Sequence, residues 1–228
     1  MFLTNESQVI ANATLGTDLL TLGVHPNFLP GSTHGASPVE VIETCRRIVP
    51  DANTFRCHSY FEYTAILGAM FADGHVADSN LGLFAQPALQ PLMHCTGLIR
   101  FPVFFEDDVF YELADEGLSL GPLDSILETP GLKILNFHPS LVAINAPSHG
   151  FYDQMRPSLS SGESGSHLAY RGRGVRNVLH EMIEKITRSG GVFVPFPSLV
   201  SDCLDSVSTF SSTSYTWRSK RWAQPGGA

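Results

Sequence analysis

The chain has few charged residues and no surplus of positive charge. Of its 228 residues 16% are charged, and 14 Lys and Arg against 22 Asp and Glu give a formal net charge of −8 at pH 7. Proteins that bind nucleic acid or an anionic membrane surface use clustered Lys and Arg to neutralise phosphates. The charge balance therefore argues against both as the main partner.

Long apolar runs and a basic leader are also missing. No run approaches the roughly 18 apolar residues of a membrane-spanning helix, and the opening MFLTNESQVIANA has no basic region like that of a secretory signal. We therefore expect a cytoplasmic protein with reduced thiols. The chain has four cysteines, and none of them form a C-x-x-C pair, which argues against a zinc knuckle or a redox dithiol. They are Cys45, Cys57, Cys95 and Cys203.

Several catalytic signatures are absent. There is no G-x-S-x-G elbow, because GESGS has the wrong spacing, and this argues against a serine hydrolase. The chain also has no P-loop and no G-x-G-x-x-G after a strand, so nucleotide binding has no support.

The sequence alternates apolar runs with helical segments. Ser37 as N-cap, Pro38 at the first helical position and Glu40 in a capping box predict a helix over VIETCRRIV. A late helix is predicted over residues 174–189, with one apolar face. Repeated strand–helix units favour an α/β fold with a parallel sheet, either open or closed into a barrel. The strand candidates are LLTLGVH, NTFRCHS, HVADSN, LIRFPVFF, LKILNFH and VFVPF.

We expect one domain over residues 1–205. Within it, residues 146–174 include the stretch SLSSGESGSH and are predicted to form a mobile Ser/Gly-rich connection. Residues 206–228 are predicted to be a flexible tail, with a partner-binding arm as the alternative.

Polar residues follow five successive strand candidates. Active sites of parallel α/β proteins gather at the carboxyl ends of the strands, so these residues predict a site. Imidazoles and carboxylates suit Zn²⁺ and related divalent ions, and a bound metal polarises a carbonyl and acidifies water. With a carboxylate as base and a His as acid, such a set suits hydrolysis of an amide or ester. In chain order the residues are His25, His58, Asp78, Asn80, Glu106, Asp107, Asp108 and His138.

The same segments, taken in order, resemble the WbmS-like branch of the polysaccharide deacetylases, in the NodB-homology superfamily. The resemblance implies a distorted (β/α) barrel of the polysaccharide deacetylase type and removal of N- or O-acetyl groups from sugars with a divalent metal, Zn²⁺ first among the candidates. The motifs cover residues 2–145 and are LGVHPNFLPGSTHG, FRCHS, ADSN, LIRFPVFFEDDV and LKILNFHPSLVAIN.

The resemblance also implies residue roles. His25 matches the first His of the metal motif, and Arg56 matches the arginine that orients a catalytic carboxylate. His138 matches the general acid of the final motif. Asp78 falls in the fourth motif, and we assign it to substrate binding together with Asn27 and Asn80.

Two departures from the family pattern affect the metal site. The metal-binding motif of the superfamily is H-x3-H, and this chain has Leu29 at the position of the second His. His34 or His58 must therefore supply the second ligand. MFLTNES resembles the second strand of the fold, so we expect the Asp-bearing first strand and its helix to be missing. Asp107 or Asp108 would then act as the catalytic carboxylate, and a solvated acidic turn is the alternative reading of that pair.

These features leave three hypotheses. The first is a metal-dependent deacetylase acting on an acetylated amino sugar or oligosaccharide, such as a polysaccharide intermediate. The second is a non-catalytic carbohydrate-binding domain of the same fold. The third is that Met1 is a misplaced start and the natural protein is longer.

Overall fold

The chain forms two compact units. The computed structural model describes residues 1–6, 10, 12, 20–114 and 118–211. The first unit comprises the described residues of Met1–Leu81, Pro91–Pro102 and Phe193–Ala228, and the second comprises those of Gly82–Gln90 and Val103–Val192. The structure thus divides the stretch that we expected to form one domain.

The first unit is built on a six-stranded sheet. Its strand order is β1-β2-β3-β4-β6-β5, with all neighbours parallel except the antiparallel pair β5 and β6. The alternation of these strands with helices confirms the predicted α/β fold. The strands are β1 Phe2–Leu3, β2 Gly23–Val24, β3 Thr54–Phe55, β4 Ala77–Asp78, β5 Leu92–Met93 and β6 Ile99–Arg100, and the helices are α1 Pro38–Ile48, α2 Thr64–Ala72 and α8 Phe196–Ser211.

Helix α1 begins where its sequence predicts. The Ser37 hydroxyl accepts the N–H of Glu40, and Pro38 occupies the first turn. The Glu40 carboxylate in turn accepts the N–H of Ala36 at 2.6 Å. One face of the helix packs into the core of the unit, which contains Val24, Val41, Ile42, Cys45, Phe55, Ile66, Leu67, Met70 and Leu98.

The second unit joins two parallel strands to five helices of the described chain. The two strands pair in a register that sets Glu106 beside Asn136. Each strand passes into a helix within three residues, which places polar residues at one end of the pair. The elements are β7 Val103–Glu106, α3 Asp107–Leu113, α4 Gly121–Leu127, β8 Ile134–Asn136, α5 Pro139–Ala143, α6 His149–Ser160 and α7 Val175–Arg188.

Helix α7 confirms the late amphipathic helix. Its buried residues recur at three- and four-residue steps, and three of them join the aromatic core of the unit. That core includes Phe104, Phe105, Phe110, Val178, Met182 and Ile186.

Three segments differ from the sequence predictions. Residues 146–174 contain helix α6, which Ser148 caps by accepting the N–H of Phe151 at 3.2 Å. Helix α8 runs through residues 206–211 of the predicted tail, whereas residues 212–228 lie outside the described part of the chain. The stretch VFVPF forms no strand, and its Val192 is 81% exposed. In the first two segments, helix-capping and helix-forming residues outweigh the Ser-rich composition on which we based the prediction.

Neither sheet closes on itself among the described residues, so the implied barrel is not seen. The helices within the described ranges include none that is both long and apolar enough to cross a membrane.

Candidate active site

His138 and Asp107 form a hydrogen-bonded pair in the second unit. Asp107 opens α3 directly after β7, and His138 is the N-cap residue of α5, two residues after β8. His138 donates its backbone N–H to Asp107 Oδ2 at 2.8 Å, and its ring Nδ1 lies 2.7 Å from Asp107 Oδ1. A carboxylate only accepts, so Nδ1 carries the hydrogen and Nε2 is the second ring position.

Burial and charge equip this pair to hold and release a proton. Asp107 is fully buried, while the His138 side chain is 43% exposed. The hydrogen bond to Asp107 raises the pKa of His138, and the charges of Asp107, Asp108 and Glu106 add to the effect against the opposing cost of burial. The imidazole therefore holds a proton to a higher pH than an ordinary His, as a general acid requires.

Glu106 and Asp108 complete a group of acidic side chains around His138. The Asn136 side-chain amide donates to Glu106 Oε1 at 2.8 Å. Each of Glu106, Asp108 and His138 offers one ligand atom, and these atoms lie within 4.8 Å of one another. By donor chemistry the group suits a divalent cation.

His25 and His58 lie together in the first unit. Their rings pack edge to face, with centroids 5.6 Å apart and an interplanar angle of 89°. His25 follows β2, and His58 begins the 3-10 turn His58–Tyr60 that follows β3. The structure thus brings together two of the three predicted metal ligands.

His34, the third predicted ligand, is bound to backbone. The buried ring accepts the N–H of Asn27 at Nδ1, 3.2 Å away, and its Nε2 lies 2.8 Å from the carbonyl oxygen of Thr4. An accepting Nδ1 requires the hydrogen on Nε2, so both nitrogens are used in this arrangement. This geometry does not favour His34 as a metal ligand, because both ring nitrogens bind backbone groups and link two loops.

Asp78 and Asn80 belong to a buried network. Arg100, directly opposite Asp78 in the sheet, donates Nε to Asp78 Oδ2 at 3.0 Å and Nη1 to Glu62 Oε1 at 2.9 Å. Burial raises the pKa of Asp78 to about 6, although the charge of Arg100 opposes the shift. Asp78 is fully buried and Asn80 is 2% exposed. This burial does not favour the predicted contact with substrate.

Arg56 and Asn27 also contact protein groups. Arg56 donates to the carbonyl and hydroxyl oxygens of Ser79, both at 2.7 Å, and its guanidinium lies 4.9 Å from the ring centroid of Phe2. Asn27 accepts the N–H of Leu29 at 3.0 Å in a local turn. Arg56 thus links the end of β3 to the residue after β4, and Asn27 stabilises the loop that follows β2.

The sequence reasoning missed Glu62 and Arg100. Both take part in the network around Asp78, and the Arg100 side chain is only 8% exposed. The sequence contains a signal for this network, because Arg100 is the single charged residue in the apolar run LIRFPVFF. A buried arginine needs anionic partners, so it indicates buried carboxylates elsewhere.

Together these features define an α/β protein with polar sites at the carboxyl ends of parallel strands. The family model of the WbmS-like polysaccharide deacetylases matches residues 1–156. The chain belongs to this family, which confirms the resemblance found in its motifs.

A solved structure supports the same relationship. The chain is 26% identical to WbmS of Bordetella bronchiseptica, described as a candidate polysaccharide deacetylase involved in O-antigen biosynthesis. The match covers 81% of this chain and 78% of that one, with a TM-score of 0.69. No curated protein shows a significant match.

Proposed function

We propose that the chain is a metal-dependent carbohydrate deacetylase that removes acetyl groups from an acetylated sugar or polysaccharide intermediate. Its family supports the reaction class. The observation that carries the proposal is the buried Asp107 carboxylate bonded to the partly exposed His138 ring. As part of the proposal we also expect the (β/α) barrel that the family implies and a cytoplasmic location.

His138 acts as the general acid in this proposal. Water adds to the acetyl carbonyl and loses one proton to solvent, the carbon–nitrogen bond breaks, and His138 Nε2 gives its proton to the leaving nitrogen. The products are the free amine and acetate, and a proton from solvent restores His138. Asp107 is a positioning residue, because its bond to Nδ1 fixes the tautomer and directs Nε2 outward. An amine leaves only after protonation, whereas an alkoxide depends less on an acid. The device therefore favours N-acetyl over O-acetyl groups.

The ligand atoms of Glu106, Asp108 and His138 are of the kinds that bind a divalent cation. A cation and a proton compete for the same imidazole, however. We assign the proton to this position, since the three carboxylates raise the pKa of His138. Glu106 and Asp108 then stabilise the imidazolium electrostatically.

The metal ligands that we propose are His25 and His58. Two neighbouring imidazoles fit Zn²⁺ in kind, and catalytic zinc sites use three protein ligands. Across the described ranges, no third His, Cys, Asp or Glu joins the pair closely enough to complete such a set. The pair is thus part of a site, and we derive no catalytic step through the ion.

The substrate that we propose is an acetamido sugar of a surface polysaccharide. The name of the Bordetella relative places that protein in O-antigen biosynthesis, and the acid device favours an amide over an ester. An acetylated amino sugar or oligosaccharide satisfies both.

Acetate release from acetylated amino sugars, with Zn²⁺ or Co²⁺ added, tests the proposal. We expect turnover that EDTA abolishes, and His138→Ala should lower it by about 10²–10⁴-fold because a protonation step is lost. Glu184→Gln is a matched control, since Glu184 forms an exposed i,i+4 pair with Arg188 in the same unit. Sugar binding without acetate release from metal-loaded protein would instead support the non-catalytic domain.

A further inference from the structure

We infer that Glu62, Asn80 and Arg100 form a clamp that positions His58 beside His25. The inference rests on the proposed function, in which His58 is a metal ligand. All of these residues lie in the first unit. The clamp residues are positioning residues, since they act on His58 through the backbone of its turn.

The turn that carries His58 has an unfavourable backbone conformation. Ser59 and Tyr60 adopt φ values of 54° and 50°, in the left-handed region that is costly for residues other than glycine. Such a conformation persists only where the surrounding structure holds it. Within the turn, the Tyr60 N–H bonds to the Cys57 carbonyl and the Phe61 N–H to the His58 carbonyl.

Asn80 holds both ends of this turn. Its Oδ1 accepts the N–H of Cys57 at 2.8 Å, immediately before His58. Its Nδ2 donates to Glu62 Oε2 at 2.6 Å and lies 3.5 Å from the Tyr60 carbonyl oxygen. One buried amide thus ties the entry and the exit of the turn to the end of β4.

Arg100 fixes Glu62 in the same network. Its Nη1 and Nη2 donate to the two carboxylate oxygens of Glu62, and its Nε donates to Asp78. The fork geometry of a guanidinium determines direction as well as distance. Glu62 is therefore held from two sides, by Asn80 and by Arg100.

The clamp leaves His58 exposed, while Asn80 and Arg100 are buried and Glu62 is half-buried. The Arg100 side chain is 8% exposed and that of Glu62 is 25% exposed, whereas His58 is an exposed residue packed edge-on to His25. Metal-binding histidines need such outer support, and its loss typically costs affinity. Buried and half-buried groups that hold a strained, His-bearing turn fit that role.

The test compares Asn80→Ala and Glu62→Gln with Glu40→Gln. Glu40 is a matched control because its carboxylate likewise accepts an N–H group, that of the Ala36 backbone, and holds a different loop of the same unit. Glu62→Gln is the milder change and covers the case in which Asn80→Ala does not fold. Histidine ring signals are measured by NMR on metal-free, ¹⁵N-labelled protein, and the affinity for Zn²⁺ alone is measured by calorimetry.

We expect both clamp variants to shift the ring signals of His58 and His25 and to lower Zn²⁺ affinity about 10–100-fold. Glu40→Gln should leave both readouts as in the wild type. A clamp variant with a lower Tm but wild-type ring signals would overturn the inference and leave a purely structural network. If wild-type protein releases no acetate and the ring signals still shift, the proposed function fails and the clamp stands.

Discussion

Replacing Asp107 with Asn removes the charge that supports His138 and changes little else in shape. The Asp107 carboxylate accepts three N–H groups, from the His138 backbone, the His138 ring and the Asp108 backbone, at 2.7 to 3.0 Å. An amide has one accepting oxygen, and its NH₂ group opposes a donor. The ring then loses its Nδ1–H partner or adopts the other tautomer.

The size of the effect follows from what is lost. Hydrogen bonds to charged groups contribute about 1.5–3 kcal/mol each to stability, so Asp107→Asn should lower the free energy of unfolding by about one such bond. Catalysis should fall by about 10²-fold or more, since the acid step contributes 10²–10⁴-fold. The pKa of His138 should fall, because its hydrogen bond to Asp107 is the largest cause of the upward shift.

The assay combines acetate release with an NMR titration of the His138 ring, and Glu184→Gln is the control. A folded Asp107→Asn protein with near wild-type turnover would refute the acid assignment. So would an unchanged His138 pKa in that variant, because the pair would then not control the proton.

Two further predictions concern other histidines. His34→Phe should lower the free energy of unfolding by about 1–3 kcal/mol, because two partly buried backbone groups lose their partners. The Zn²⁺ affinity measured by calorimetry should not change, and a large loss of affinity would support His34 as a ligand. Burial lowers the pKa of His75 in the folded protein. As pH drops below about 6.5, the unfolded chain binds a proton at this residue before the folded chain does, so the free energy of unfolding should fall. Urea unfolding of His75→Leu should show a shallower pH dependence there, and an unchanged slope would contradict this explanation.

Local signals in the sequence predicted the parts of the fold that depend on neighbouring residues. The Ser37 cap, Pro38 and Glu40 predicted the start of α1, and the structure shows the same hydrogen bonds. For residues 146–174 the prediction used Ser/Gly composition alone and did not consider Ser148, which caps α6 in the structure.

The network around Arg100 could not be predicted because it depends on strand order. Asp78 and Arg100 become neighbours only because β6 pairs with β4 while β5 lies at the edge. Nothing near either residue in the sequence specifies that arrangement. His34 shows the same limit, since its partner at Thr4 is 30 residues away.

The structure also changes the role that we propose for Asp107 in the acidic run Glu106–Asp108. From the sequence, Asp107 was a candidate base or part of a solvated turn, but the residue is fully buried and its two oxygens accept three N–H groups. A general base needs an accepting lone pair within reach of water, which this geometry denies to Asp107. In the proposed reaction the carboxylate therefore supports the general acid, His138. Removing it should impair expulsion of the leaving group, the step for which an amide needs a protonated partner.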